Sequence, residues 1–397
     1  TENVIIRKGF RFRIYPTEQQ VARIAGWESA LRWLWNLALE QRLMGLRRTD
    51  KVYPTAFDQI NELTPLRAEL PWLADVPRNV CAQLLVELDK AWQRCFKKLA
   101  RKPRWKRKGI DALGLCEPHP KAWRIEGANI RFPKLGGLRA VIHRPLEGRP
   151  KTCTIRRDGD QWFASILCEI DIADPAPRAE PIVAIDVGIT HLLADSDGNL
   201  TPNPEHLKKA LKRLAHAQRT VARRKRGSKN REKAKTRVMR LHRKVRRQRE
   251  HTLHVESARL AKSHGTVIVE KLNVAGMIRG NLSRSIADAG WSRFKEMLRY
   301  KLAWSGGQLV EVPAAYSSQT CSACGHVDAA SRRGEKFCCT ACKHTDHADL
   351  NAAKVLKSRA NRSALPVEAS GLPGLRSRKV KRELRVPRRS PSQGSGL

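Results

Sequence analysis

Hydrophobic and polar positions change their period several times along the chain. Residues 4–15 alternate, with Phe10, Phe12 and Ile14 interleaved by Arg11 and Arg13, the period of a half-buried strand. Pro16 and Thr17 end that strand and cap a helix. From about 18 to 108 the period becomes helical. Ala30, Leu31, Leu34, Leu37 and Ala38 share one face of a first long helix, and Val80, Leu84, Leu88, Ala91, Trp92, Cys95 and Leu99 share one face of a second. Between them, Val52 to Pro77 carries four prolines and predicts short helices and turns. Strands return over 120–172: Leu138 to His143, Thr152 to Arg157, and Trp162 to Ile172, with Asp158-Gly159 as a hairpin turn. One strand at the N-terminus, several after residue 120 and helices between them suggest a β-barrel interrupted by a helical lobe. Asp174-Pro175-Ala176-Pro177 reads as a linker.

The second half has a different rhythm. Residues 182–187 and 266–270 are short, nearly all-apolar strands, each carrying a carboxylate at its end, Asp186 and Glu270. Leu192 to Ala194 form a further strand, and 308–312 another. Trp291, Phe294, Leu298 and Leu302 line one side of a helix over 291–304. Between the two acid-tipped strands, residues 207–249 hold twenty Lys and Arg against one acid, Glu232. Leu207, Leu211 and Leu214 make one apolar stripe there, Ala234, Val238, Leu241 and Val245 another, separated by Gly227-Ser228. This predicts a helical hairpin with one buried seam and a basic outer face. A helix begins near Asp349, and 358–397, rich in Ser, Pro and Arg, is expected to be a basic disordered tail.

Charge sharpens this picture. The 397 residues include 78 Lys+Arg and 38 Asp+Glu, a formal net charge of +40. Such an excess repels itself in a compact fold and is relieved by a polyanion, with nucleic acid the first candidate. A hydrophobic content of 41% is enough to build cores, so the chain is not merely a basic tail. No apolar run approaches the roughly 18–20 residues of a bilayer span. The start of the chain lacks a signal-peptide core, so the expectation is a cytoplasmic, nucleoid-associated protein of prokaryotic type with no membrane partner. The stretch 101–108 places six cations around Trp105. Arg104, Trp105 and Lys106 there, and Arg223, Arg224, Lys225, Arg226, Arg243, Lys244, Arg246 and Arg247 in the hairpin, are candidate nucleic-acid contacts. A solvated face, with Trp105 tucked into the core, is the alternative.

Two constellations carry chemistry. Cys321 and Cys324 form one CxxC pair and Cys339 and Cys342 another, 14 residues apart. Two such knuckles close a tetrahedron of thiolates around a structural Zn²⁺. Gly325 and Lys343 hold the turn position after each pair. Cys338 is a rival to Cys339 without the spacing, and His344 and His347 are alternative ligands. The second constellation is Asp186, Glu270 and Asp349. Carboxylates at the ends of apolar strands are costly to bury unless a cation offsets them, and Mg²⁺ prefers such hard oxygens. An ordinary salt bridge is the alternative for each acid alone, and Asp346 is a rival to Asp349.

Three segments together resemble the transposon-encoded TnpB family, from which compact type V CRISPR effectors descend. They are Ile185-Asp186-Val187-Gly188; Val269-Glu270-Lys271-Leu272-Asn273-Val274 with Gly276-Met277; and Tyr316-Ser-Ser-Gln-Thr-Cys321-Ser-Ala-Cys324-Gly325 through Cys339 to Cys342 and on to Ala348-Asp349-Leu350-Asn351-Ala352-Ala353. Tyr15 to Gln19 and the Arg32–Asn36 helix resemble the family's opening. The family often reads Asp-Arg-Asp in its last motif, where this chain has His347-Ala348-Asp349. The resemblance implies an α/β multidomain protein: a wedge-like β-barrel (1–17 and 109–175), a helical recognition lobe (18–108), an RNase H-like RuvC nuclease domain (178–320 and 343–357, with the basic hairpin at 204–263), and a zinc ribbon (321–342) inserted before the last acid. It implies Asp186, Glu270 and Asp349 as catalytic ligands of two Mg²⁺, and a guide RNA pairing with one strand of double-stranded target DNA that the RuvC site cuts. The rival expectations are an RNA-guided repressor with little cleavage and a transposase acting directly on transposon ends.

Overall fold

The computed structural model describes residues 3–50, 52–111, 113–271, 290–313 and 315–362. The Leu272 to Met277 part of the family motif and 363–397 of the expected tail lie outside the described residues. The chain begins with β1 (Asn3–Tyr15), then α1 (Glu18–Arg47), α2 (Ala56–Asn61), α3 (Leu63–Glu69), α4 (Pro71–Ala74) and α5 (Arg78–Phe96). Six strands follow: β2 (Leu115–Glu117), β3 (Arg124–Glu126), β4 (Asn129–Phe132), β5 (Gly136–Val141), β6 (Arg149–Asp158) and β7 (Gln161–Ala173).

Thr17 starts α1 as expected. Its Oγ1 accepts from the Gln20 N–H at 3.3 Å while Gln20 Oε1 accepts from the Thr17 N–H at 2.9 Å, a reciprocal cap of two orphan donors. α5 is shorter than its apolar stripe. It ends at Phe96, Lys98 adopts a left-handed conformation, and Leu99 is exposed instead of continuing the buried face. The seven strands form one antiparallel sheet in the order β2-β6-β7-β1-β5-β4-β3. Its edge strands β2 and β3 do not pair with each other. One continuous core joins sheet and helices: Phe10, Phe12, Phe132, Leu138 and Ile166 pack with Trp27, Leu31, Leu39, Leu88 and Trp92.

The second half comprises β8 (Ile182–Asp186), β9 (His191–Asp195), β10 (Leu200–Pro202), α6 (His206–Arg223), α7 (Lys229–Ser263), β11 (Thr266–Lys271), α8 (Trp291–Trp304) and β12 (Gln308–Pro313). Next come β13 (Arg332–Arg333), β14 (Lys336–Cys338), β15 (Thr345–His347) and α9 (Ala348–Arg362). Five strands make a mixed sheet, β10-β9-β8-β11-β12, with β8, β11 and β12 parallel and β9 antiparallel to β8. Counted in order of appearance this is 3-2-1-4-5. Alternation along β8 and β11 divides the core. Val183, Ile185, Val267 and Val269 face α7 and α8, while Ala184 and Ile268 face Leu356 and Ala360 of α9.

The basic hairpin forms from α6 and α7, but its seam is narrower than its stripes. Leu214, Ala217 and Val245 are buried, whereas Leu211 is 40% exposed. α7 has 35 residues, a rod of about 52 Å at 1.5 Å per residue. Its C-terminal half packs under the mixed sheet through Leu253, Leu260 and Ala261. Its N-terminal half, with α6, projects the basic surface. Residues 358–362, expected to open the tail, are instead the last turns of α9, where Ala360 is buried against the sheet. Among the described residues, no helix is long and apolar enough to cross a membrane.

Candidate active site

The parallel register pairs Val269 with Ile185, so the next residues, Glu270 and Asp186, emerge side by side at the ends of β11 and β8. Both lie one residue beyond positions that face α7 and α8, and the period of two therefore turns them toward α9. Asp349 stands in the first turn of that helix. All three acids line one open cavity of about 610 Å³, with Val187, Gly188, Ser317, Arg332 and Glu335 among the other walls. Asp346, the rival to Asp349, is engaged elsewhere by Lys354 Nζ at 2.7 Å. Gly188 is required at the rim: a Cβ there would sit 2.7 Å from the His191 carbonyl oxygen.

The electrostatics of the three acids are coupled. Burial first, then Glu270 and Asp349, push the Asp186 carboxyl up to about 7, against the opposing pull of Arg332 and the Val187 N–H. Burial also raises Glu270, although Ser317 Oγ donates to its Oε1 at 2.5 Å and Arg359 opposes the rise. Asp349 Oδ1 accepts from the Arg332 guanidinium at 3.0 Å. The cluster therefore holds more negative charge than its own cations offset. Sequence reasoning missed Arg332 and Ser317. Ser317 sits inside the recognised Tyr316-Ser-Ser-Gln run, but nothing local distinguishes Arg332 from the other cations.

Between β12 and α9 the chain builds a small three-stranded antiparallel sheet, β13-β14-β15, over Phe337. The two CxxC pairs form matching knuckles. Gly325 and Lys343 both take left-handed conformations, and their N–H groups return to the carbonyls of Cys321 and Cys339 at 3.0 and 3.1 Å. The four sulfurs of Cys321, Cys324, Cys339 and Cys342 cluster within 4.8 Å of one another. Cys321 and Cys342 approach to 3.7 Å and Cys324 and Cys339 to 3.6 Å. Zinc–thiolate bonds of about 2.3 Å in a tetrahedron space the sulfurs by about 3.8 Å, so this cluster could hold zinc. The Cys342 and Ala341 N–H groups pull the Cys339 thiol down, while the neighbouring Cys324, Cys339 and Cys321 sulfurs push the Cys342 thiol up. Cys338 is exposed, and neither it nor His344 or His347 joins the cluster. Fully buried Asn351 ties the knuckle to α9, accepting from the Ser322 N–H at 2.9 Å and donating to the Thr320 carbonyl at 2.8 Å. The four-cysteine unit thereby positions the helix that bears Asp349.

The candidate nucleic-acid residues divide into two groups. Arg223, Arg224, Lys225 and Arg226 are exposed at the tip of the hairpin, and Lys244 is exposed on α7. The 101–108 strap is pinned to α1, where Trp35 Nε1 donates to the Arg104 carbonyl at 3.1 Å and Asn36 bonds the Lys106 backbone at 2.8 and 3.1 Å. Pinning leaves Trp105 45% exposed, so its ring is not core, and Arg104 reaches out to Asp111 at 2.9 Å. Lys106 lies over the Trp35 ring at 4.6 Å. Arg243 differs from all of these. It is buried, and its guanidinium donates to Asp160 Oδ1 at 2.5 Å and to the Asp158 carbonyl at 2.8 Å. It clamps α7 to the β6–β7 turn and presents no open phosphate surface. Arg246 pairs with Asp158 at 2.5 Å, and Arg247 bonds Gln161 at 2.9 Å beside the Phe163 ring. Gly159 completes this joint: its φ of +66° suits glycine, and a Cβ there would meet Arg243 Nη1 at 3.0 Å.

Three family models match the chain: one described as "Probable transposase" over residues 165–280, one as "Cas12f1-like, TNB domain" over 291–356, and one as "Helix-turn-helix domain" over 6–49. In this protein the last range holds a strand and one long helix, β1 and α1. Among curated proteins, the Escherichia coli (strain K12) "Putative RNA-guided DNA endonuclease InsQ" is 30% identical over 369 residues, covering 87% of this chain and 90% of its own length. A Streptomyces pristinaespiralis "Putative RNA-guided DNA endonuclease" is 36% identical over 334 residues, covering 81% of each. Among solved structures, a Cas12f1 chain from a complex with sgRNA and target DNA has a TM-score of 0.53 at 14% identity, covering 89% of this chain and 98% of that one, a likeness of fold.

Proposed function

Because the chain belongs to the TnpB family, whose relatives carry the name RNA-guided DNA endonuclease, we propose that it is a guide-RNA-directed endonuclease of double-stranded DNA, acting in the cytoplasm at the nucleoid. The mixed sheet of order 3-2-1-4-5 supports reading residues 178–320 and 343–357 as an RNase H-like RuvC domain. The cysteine cluster between β12 and α9 supports a zinc ribbon inserted into it, and the first sheet with α1 to α5 supports a wedge and recognition unit.

The observation that carries the proposal is the meeting of Asp186, Glu270 and Asp349 in one cavity with an under-neutralised charge. A site that drives its own carboxyl up to about 7 suits divalent cations with hard oxygen preference, and the three acids are the residues that would hold two Mg²⁺. Bound there, such ions supply an activated water and charge stabilisation for the leaving oxygen of a phosphodiester. The chain's own residues do the positioning. β8 and β11 hold Asp186 and Glu270 rigidly in register, Ser317 orients the Glu270 carboxylate, and Arg332 steadies Asp349 and brings a cation toward the scissile phosphate. The exposed cations of 101–108 and of the hairpin tip would follow RNA and heteroduplex backbone.

The test is purification from the host with sequencing of the bound nucleic acid, followed by cleavage of a plasmid matching the variable end of the RNA found. A discrete noncoding RNA, matched cutting that needs Mg²⁺, and loss of cutting with retained RNA in Asp186→Ala are the expected results. Cleavage by RNA-free protein would point to a transposase acting on DNA ends. Bound RNA without cutting by the wild type would point to a repressor.

A further inference from the structure

Beside the three acids lies a second set of ligand-type side chains that the nuclease reading leaves unused. His191 opens β9, Glu335 sits in the turn between β13 and β14, and His347 ends β15. One nitrogen of each imidazole and one Glu335 carboxylate oxygen all lie within 4.8 Å of one another. The two rings meet edge to face, 5.2 Å between centroids at 78°. His191 Nδ1 is buried and has no hydrogen-bond partner, and Asp349 Oδ2 stands 3.7 Å away, beyond hydrogen-bond reach. Buried ring nitrogens are ordinarily partnered, whereas this one has only the long approach of the Asp349 carboxylate, in a ring that already stands beside two further ligand-type side chains.

We propose that His191, Glu335 and His347 bind a divalent transition-metal ion of the zinc class, apart from the thiolate cluster and adjoining the three acids without using any of them as a ligand. Two imidazoles and one carboxylate suit Zn²⁺ and its borderline neighbours, whereas Mg²⁺ selects oxygen ligands. The donors come from two different sheets. His191 belongs to the mixed five-stranded sheet, whereas His347 ends a strand of the small sheet beside the cysteine knuckles and Glu335 sits in that sheet's β13–β14 turn. The ion therefore clips the small sheet to the large one at the point where the chain enters α9, next to Asp349. Its binding gives up one hydrogen bond, the long 3.3 Å one from the Asp349 N–H to His347 Nδ1, whichever nitrogen of that ring takes the metal. The Ala348 N–H, bonded to the Glu335 carbonyl at 2.8 Å, already holds Glu335 against the start of α9.

Metal binding at these three side chains does not depend on nuclease activity and is read from metal alone. Full-length protein is equilibrated with buffered Zn²⁺ in excess Mg²⁺, and zinc per chain is measured by atomic emission. The wild type is expected to hold two equivalents, and His191→Gln and His347→Gln one each. Asp186→Asn is expected to keep two. A mercurial that attacks thiolates is expected to release one equivalent from the wild type and the remaining one from either histidine variant. One equivalent in the wild type, or two in both histidine variants, overturns the site. So does loss in Asp186→Asn with retention in the histidine variants, since the second ion would then sit among the acids.

Discussion

Replacing Asp186 by Asn separates the cost of the acid cluster from its use. In the folded protein without divalent metal, burial and the charges of Glu270 and Asp349 raise the Asp186 carboxyl from 3.8 to about 7. At 1.36 kcal/mol per tenfold change in proton affinity, that rise corresponds to about 4 kcal/mol. Asp186 keeps some exposure to solvent, which brings the expected effect to about 2–3 kcal/mol. The sign follows from the direction of the rise. Below about pH 4 the carboxyl is protonated folded or unfolded, and it costs nothing. As pH climbs from 4 through 7 the unfolded chain ionises first, and the folded state progressively loses that stability. Asp186→Asn removes the penalty. In metal-free buffer it is expected to melt roughly 2–4 °C above the wild type at pH 8 and level with it at pH 4. Mg²⁺ at pH 8 is expected to raise the wild-type melting temperature far more than that of the variant. Thermal melts at the two pH values, with and without Mg²⁺, read all of this. A variant no more stable than wild type at pH 8, or stabilised equally at both pH values, refutes the electrostatic account. The same substitution is expected to abolish cutting, so the residue that burdens the fold is the one proposed to serve the reaction.

Other outcomes follow from the charge elsewhere. Burial would raise the Asp160 carboxyl, but bonds from Arg243 and Arg240 prevail and hold it at about 2. The stability that this lowering supplies is present above about pH 4 and is lost as pH falls toward 2. Asp160→Asn is expected to cost about 1–2 kcal/mol at pH 7 and much less at pH 2, read from denaturation midpoints; an equal loss at both pH values would argue against the clamp. Changing Arg223, Arg224, Lys225 and Arg226 together to Ala is expected to flatten the salt dependence of nonspecific DNA binding by about 0.9 for each phosphate no longer neutralised. An unchanged slope in a log–log plot of affinity against salt would mean that the hairpin tip is a solvated face.

Much of the candidate site was legible in the chain because its signals are local. The acids at the ends of 182–187 and 266–270, the paired cysteines and the glycine after the first pair all declare themselves over a few residues. The hydrophobic period placed β1, β6, β7 and α8 for the same reason. Where the chain misled, the missing information was the far partner. Leu99 continues an apolar stripe on paper, but α5 has turned away by then, and Leu211 has nothing to pack against along the outer part of the hairpin. Arg243 looks like its basic neighbours until Asp160, 83 residues earlier in the chain, is brought beneath it.

The sequence by itself determined which residues could carry chemistry: three carboxylates beside apolar strands, four spaced thiols and a large excess of cations. Those follow from residue type and short-range period. Tertiary structure alone decided how they are used. Parallel pairing of β8 with β11 turns Asp186 and Glu270 toward the helix that bears Asp349. The small sheet delivers Arg332 to that acid and sets Glu335 and His347 beside His191, more than 140 positions away in the chain. Burial and charge neutralisation depend on what lies within a few ångströms in space, and the charged groups that act on Asp186, namely Glu270, Arg332 and Asp349, all come from distant parts of the chain.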